Sequence, residues 1–275
     1  MNLKSFGIRS LIAVIFGPAI LLAAWYGSHW WLAFVALVVV LSVYEYYGLA
    51  QRKGAHGMHY MGILAAFVMV LALYYHAEWS ILPIILLFLV AVQFYALYRK
   101  EGSALLDVPT TVFAPLYYAL SFGSFILIRE LPARYGLNSD PAGRWLVMLI
   151  LTIWICDTAA YIGGSYLGRH KLMPRISPNK TIEGTALGFI FAVLMAWLCH
   201  VWFIQGLRLQ DSLIIGIIAG SLGQYGDLFE SMFKRDAGVK DSSNLIPEHG
   251  GALDRFDSLT LCAPVMYLYL KWFAF

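Results

Sequence analysis

The chain has 275 residues, 60% hydrophobic and 13% charged, with a formal net charge of +3. Ordinary globular domains carry about 25% charged residues, so the composition excludes a soluble single-core protein and indicates a polytopic membrane protein. The cysteines, Cys156, Cys199 and Cys262, all lie in apolar runs without CxxC spacing. They read as small buried hydrophobes, not as a disulfide or metal framework.

Apolar runs of about 20 residues recur, each long enough to cross a bilayer. Nine are expected, over 8–28, 30–50, 59–76, 80–98, 110–128, 145–167, 183–205, 211–233 and 257–274. The fold class is therefore all-α, with about nine transmembrane helices in one integral membrane domain over 1–275. Residues 1–130 form a helical N-terminal part, and 145–275 carry the segments richest in chemistry. The first run is too long for a signal-peptide core and is expected as a retained helix. With the N-terminus inside, Lys and Arg divide 14 inner to 5 outer, which accounts for all 19. That bias fits the positive-inside rule and puts loops 168–182 and 234–256 on the cytoplasmic side.

Within 1–130 the notable polar residue is Glu45, in VYEYYGL. An acid inside a span usually faces other helices or a cavity. Glu45 is also within two turns of Gln51-Arg52-Lys53, so reaching the interface is an equally open reading. His29, His56, His59, His76 and His200 are scattered, and a metal site needs three or four ligands. Residues 131–144 form an outer connection.

The sixth run carries Asp157 in WICDTAAYIGG. The loop after it reads GRHKLMPRISPNKTIEG. Ser177 before Pro178 is expected as an N-cap with Pro at the first helical position. Asn179, Lys180 and Thr181 would then stand at a helix start, a natural anion site. The competing reading is a basic loop that sets topology or touches anionic lipid. Gly184 and Gly188, then Gly216, Gly220, Gly223 and Gly226, mark close helix packing. That packing is expected to bring Asp157, the Ser177–Thr181 loop and Asp227 together.

Asp227 to Ser258 holds seven of the sixteen acidic residues and four of the nineteen basic ones, between apolar runs. Charge gathered there marks a functional site. Asp227, Glu230, Ser231 and Lys234 fall at i, i+3, i+4 and i+7 on one helical face. The chain breaks at Gly238, continues through Lys240 and Asn244 to His249-Gly250-Gly251, and reaches Asp254 and Arg255 where another helix should begin. Carboxylates beside hydroxyl and amide side chains suit hard cations, chiefly Mg²⁺. Lys and Arg around them suit a polyphosphate, and Gly250-Gly251 would let backbone approach a ligand. A polyphosphate and a lipid meeting at the inner interface outline a lipid-activating nucleotidyltransferase. The residues alone leave open a transporter, with Glu45, Asp157 and Asp227 as a cation or proton relay, and a CTP-dependent lipid kinase.

Ser231, Lys234-Arg235, Lys240-Asp241, His249-Gly250-Gly251, Asp254-Arg255 and Asp257 together resemble the signature of the phosphatidate cytidylyltransferases, the CDP-diacylglycerol synthases. Ser177 to Thr181 with Glu183-Gly184 resembles that family's second recurrent segment. The resemblance covers about 145–265 and departs at Ala252, where a larger apolar residue is expected. It implies transfer of CMP from CTP to phosphatidate, giving CDP-diacylglycerol and pyrophosphate, with Mg²⁺ and room for a second cation. Asp227, Asp254, Lys234, Arg235 and His249 are the expected catalytic residues. Ser177, Asn179, Lys180, Thr181, Ser231, Lys240, Gly250, Gly251 and Arg255 are expected to bind substrate. Asp227 and Asp254 are the expected metal ligands, with Asp157 as a further candidate. CTP, phosphatidate, membrane lipid and a second copy of the chain are the expected partners, and nucleic acid is not. The expected location is a bacterial inner membrane, with the site facing the cytoplasm.

Overall fold

A computed structural model describes residues 3–138, 140–245 and 250–274, with side chains described from residue 14 onward except that of residue 78. The helices are α1 (Leu3–Tyr26), α2 (Ser28–Gln51), α3 (His59–Tyr74), α4 (Ile81–Tyr98), α5 (Ala104–Arg134) and α6 (Asp140–Leu167). Strands β1 (Lys171–Met173) and β2 (Ser177–Thr181) follow, then α7 (Ile182–Trp202), α8 (Leu209–Asp236), the single turn α9 (Leu253–Phe256) and α10 (Leu259–Tyr269). A π-helical turn, Leu270–Ala274, continues from α10.

In hydrocarbon each backbone N–H and C=O must be satisfied within the chain, which is why runs this apolar become helices. Among the described residues, α2, α4, α5, α6, α7 and α8 are long and apolar enough to cross a membrane. Three further apolar helical stretches, Val14–Tyr26, His59–Tyr74 and Leu259–Ala274, are shorter. Each of the nine apolar runs coincides with a helix over most of its length, and six of these helices are of spanning length and hydropathy among the described residues. Helix α4 illustrates the lipid-facing pattern. Only Phe88 and Val92, four residues apart, are buried, against Met58 and Ala65. Leu82, Leu86, Leu87, Phe94 and Leu97 stay exposed on its other faces.

The chain divides into two compact units. Met1–Gly27, Ile128–Met232 and Asp257–Phe275 form the first, and Ser28–Leu127 with Phe233–Phe256 form the second. Both draw on segments far apart in sequence, and neither coincides with 1–130 or 145–275.

In the first unit, glycines let α6, α7 and α8 approach closely, as small residues do in membrane packing. A Cβ on Gly184 would lie 2.6 Å from the Ala160 carbonyl oxygen and 2.9 Å from Gly164 Cα. One on Gly216 would lie 2.8 Å from Ala196 Cβ. In the second unit, Tyr47 is fully buried and donates to the Thr111 carbonyl at 2.8 Å, while Thr111 Oγ1 accepts from the Met58 amide at 2.9 Å. These bonds tie α2, the α2–α3 loop and α5.

Candidate active site

The polar residues of the first unit gather where β2 leads into α7 and along the facing side of α8. Strands β1 and β2 form an antiparallel hairpin with Lys171 opposite Thr181 and Met173 opposite Ser177. Its turn carries Pro174, and the Ile176 amide donates to the Met173 carbonyl at 3.1 Å. This corrects the expected helix start. Ser177 is not the N-cap and Pro178 is not the first helical residue; both lie in β2. Proline is tolerated there because a two-stranded hairpin has only edge strands. Thr181 is the N-cap instead, in extended conformation, its Oγ1 accepting from the Gly184 amide at 3.2 Å. Glu183 occupies the first turn of α7 and accepts from the Arg169 and His170 amides, with His170 Nδ1 at 2.6 Å.

The hairpin puts Lys180 against α8. Lys180 Nζ lies 2.7 Å from Asp227 Oδ2, with both side chains about a quarter exposed, and reaches the Gln224 carbonyl at 3.5 Å. Ser231 Oγ donates to Asp227 Oδ1 at 3.2 Å, one helical turn away. Asp157 on α6 interacts electrostatically with Asp227 and Lys180, and hydrogen-bonds Ser258. Close packing of α6, α7 and α8 thus brings Asp157, Lys180 and Asp227 together, as the glycine pattern indicates. Ser177 is half-buried and Asn179 exposed in the same hairpin. Gln224 donates to the Thr185 and Gly220 carbonyls at 3.0 and 2.6 Å, locking α7 to α8. It also lines an apolar crevice of about 450 Å³ with Leu172, Ile182, Phe189, Tyr225 and Leu228.

The second unit holds the rest of the charged stretch. Lys234 Nζ is 2.5 Å from Asp254 Oδ1, with side chains 8% and 6% exposed. Asp254 Oδ2 accepts from the Ser242 amide and hydroxyl, both at 2.8 Å, and from the Gly251 amide at 2.9 Å. Burial pushes the Asp254 carboxyl up, but Lys234 and the Gly251 and Ser242 N–H groups outweigh it, holding it below its ordinary value. Gly250 has φ +79°, a left-handed conformation that favours glycine. Arg235 donates to the Val239 carbonyl at 2.8 Å and closes the end of α8. Lys240 and Arg255 are exposed. His249 lies outside the described residues.

Ser242, Ser243, Ala252 and Leu253 converge on Glu45 of α2, which sequence reasoning left open. Glu45 is 2% exposed. Its Oε1 accepts from Ser243 Oγ and the Ala252 amide, both at 2.8 Å. Its Oε2 accepts from Ser242 Oγ and the Leu253 amide, both at 2.9 Å. The available signal was an acid inside an apolar run. Ser242 and Ser243 carried no signal of their own.

The donor set fits a hard cation. No group of three or more His, Cys, Asp or Glu side chains converges among the described residues. Mg²⁺ commonly takes only one or two carboxylates and fills its other positions with water and substrate oxygens. Asp157 and Asp227, with the Ser231 hydroxyl, supply that chemistry in the first unit. Both oxygens of each carboxylate already have partners, Lys180 and Ser231 on Asp227 and Lys234, Ser242 and Gly251 on Asp254, so either would exchange one of them for a cation.

Residues 7–273 match the model of the cytidylyltransferase family. A protein named phosphatidate cytidylyltransferase from Synechocystis is 32% identical over 95% of this chain and 96% of its own length. Its namesake from Bacillus subtilis is 37% identical over 66% of this chain and 64% of its own length. The one from Staphylococcus epidermidis strain RP62A is 35% identical, and the match spans 64% of each chain. A family model matched across nearly all of the sequence settles the assignment: the chain belongs to the cytidylyltransferase family.

Proposed function

We propose that the protein transfers CMP from CTP to phosphatidate, giving CDP-diacylglycerol and pyrophosphate. The observation that carries this reading is the Lys180–Asp227 pair near Asp157, with Asp227 one turn along α8 from the crevice-lining Gln224. Phosphate chemistry and room for an acyl chain thus meet within one compact unit. The names of the bacterial relatives support the same reading.

A phosphatidate oxygen attacks the α-phosphorus of CTP and forms a P–O bond. The bond from that phosphorus to the bridging oxygen breaks, and pyrophosphate leaves with the electron pair. The nucleophile is already anionic, so the step needs no general base and no covalent enzyme intermediate. The chain's work is positioning and charge neutralisation. Lys180, Lys234, Arg235, Lys240 and Arg255 are proposed to hold phosphates. Ser177, Asn179, Thr181 and Ser231 add polar contacts, the Gly250–Gly251 backbone lies against substrate, and His249 acts in the same loop. Asp227 in the first unit and Asp254 in the second are the proposed Mg²⁺ ligands, each once it gives up a present partner, and Asp157 is a further candidate beside Asp227. Mg²⁺, when bound, supplies neutralisation of phosphate charge. The proposed setting is a bacterial inner membrane, with the reaction at the cytoplasmic face and a second copy of the chain as partner.

Pyrophosphate release by purified protein in phosphatidate-containing vesicles tests the reading. Release that requires both CTP and phosphatidate supports it. CDP as the released product would replace it with a lipid kinase, and absence of turnover would favour transport.

A further inference from the structure

We infer that Glu45 is a positioning residue for cytidylyl transfer: it holds Ser242-Ser243 and Ala252-Leu253 from α2 and acts on Asp254 through Ser242. The inference rests on the proposed cytidylyl transfer, and its test is built to fail separately.

Glu45 belongs to the N-terminal part of the sequence, about 200 residues before the loop that it grips. Its carboxylate is buried and accepts four hydrogen bonds at 2.8 to 2.9 Å, two from hydroxyls and two from backbone amides. Such charge-assisted bonds are about twice as strong as neutral ones. Two of the donors, the Ala252 and Leu253 amides, stand at the start of α9, the turn that carries Asp254 and Arg255. The carboxylate therefore satisfies N–H groups that a helix start leaves open.

The link to Asp254 runs through one atom. Ser242 Oγ lies 2.9 Å from Glu45 Oε2 and 2.8 Å from Asp254 Oδ2. A hydroxyl carries a single proton, so the two carboxylates share one donor. Moving Glu45 changes what remains for Asp254, which also accepts from Lys234. Gly251 completes the fit: a Cβ there would overlap Glu45 Oε2 and Ser242 Oγ. Glu45 is distant in sequence from every residue expected to touch substrate, and its four bonds all go to the loop that holds several of them.

Glu45→Gln tests this. An amide keeps the size, but its NH₂ end cannot accept from a backbone N–H. We expect kcat to fall about tenfold or more, as losses of supporting partners do, with KM for CTP and phosphatidate within about twofold. Melting of the α-helical signal in detergent should stay close to wild type. Hydrogen–deuterium exchange should rise at the Ser242, Ala252 and Leu253 amides. Unchanged kcat together with unchanged exchange overturns the inference, as does a kcat loss that matches a loss of folded protein. If Glu45→Gln does not fold, Ser243→Ala decides, since it removes one of the four donors. A smaller fall in kcat with faster exchange at Ala252 supports the role, and wild-type behaviour overturns it. If the wild type itself does not turn over, cytidylyl transfer is the part that fails. Exchange in the same variants still decides whether Glu45 holds the loop.

Discussion

Lys234 and Asp254, twenty residues apart, form an ion pair at 2.5 Å with both side chains almost fully buried. Buried pairs are weak sources of net stability, because desolvation offsets attraction, yet removing one partner leaves a costly bare charge. Lys234→Met is therefore expected to destabilise the fold by about 3–5 kcal/mol. The double variant Lys234→Met with Asp254→Asn should recover part of that loss without recovering turnover. Thermal unfolding in detergent beside an activity assay checks both outcomes.

The same pair sets an acid limit. Asp254 is held below its ordinary carboxylate value. A depressed folded value gives stability that is complete above the unfolded value of about 3.9. That stability is lost as pH falls through the folded value. The wild type should lose its advantage over Asp254→Asn progressively below about pH 4. Unfolding of the two proteins as a function of pH reads the difference. A constant gap down to the lowest pH would contradict it.

Lys180, in β2, reaches Asp227 on α8. Lys180→Met leaves that carboxylate without its lysine and deprives the proposed phosphate of a cation. Turnover should fall about 10- to 100-fold, and Lys180→Arg should restore part of it. Asp227→Asn should instead raise the Mg²⁺ concentration needed for half-maximal rate. Titrating Mg²⁺ against rate for both variants separates cation binding from simple loss of packing.

Gly184 is a packing test. Its hydrogen side faces Ala160 and Gly164 at distances too short for a Cβ. Gly184→Val should cost about 1–3 kcal/mol through overpacking. Because the Gly184 amide is capped by Thr181, three residues earlier and next to Lys180, the rate should fall as well. Gly136→Ala provides contrast, since a Cβ there meets nothing within 4 Å, although its φ of +70° adds backbone strain. Its rate should remain near wild type.

Much of this was legible in the sequence. The helices follow from hydrophobic runs that only internal backbone hydrogen bonding can satisfy. The meeting of Asp157, Lys180 and Asp227 follows from small residues on α6, α7 and α8. The start of α7 is not fixed by local sequence, because Ser177 and Thr181 are both competent caps. Pro178 suits either a helix start or an edge strand, and local preference cannot choose between them. Glu45 could be flagged but not assigned. Its partners lie about 200 residues away, and two of them are backbone amides, which no side-chain pattern reveals.

The central claim is that CMP, not a phosphoryl group, moves to the lipid. Supplying vesicles of phosphatidate with CTP labelled at the α-phosphorus, and separately at the γ-phosphorus, tests it most directly. The account predicts α label in the lipid product and γ label in released pyrophosphate, with both lost in the Asp227→Asn variant at low Mg²⁺. Transfer of γ label into the lipid, with α label remaining in soluble CDP, would contradict it.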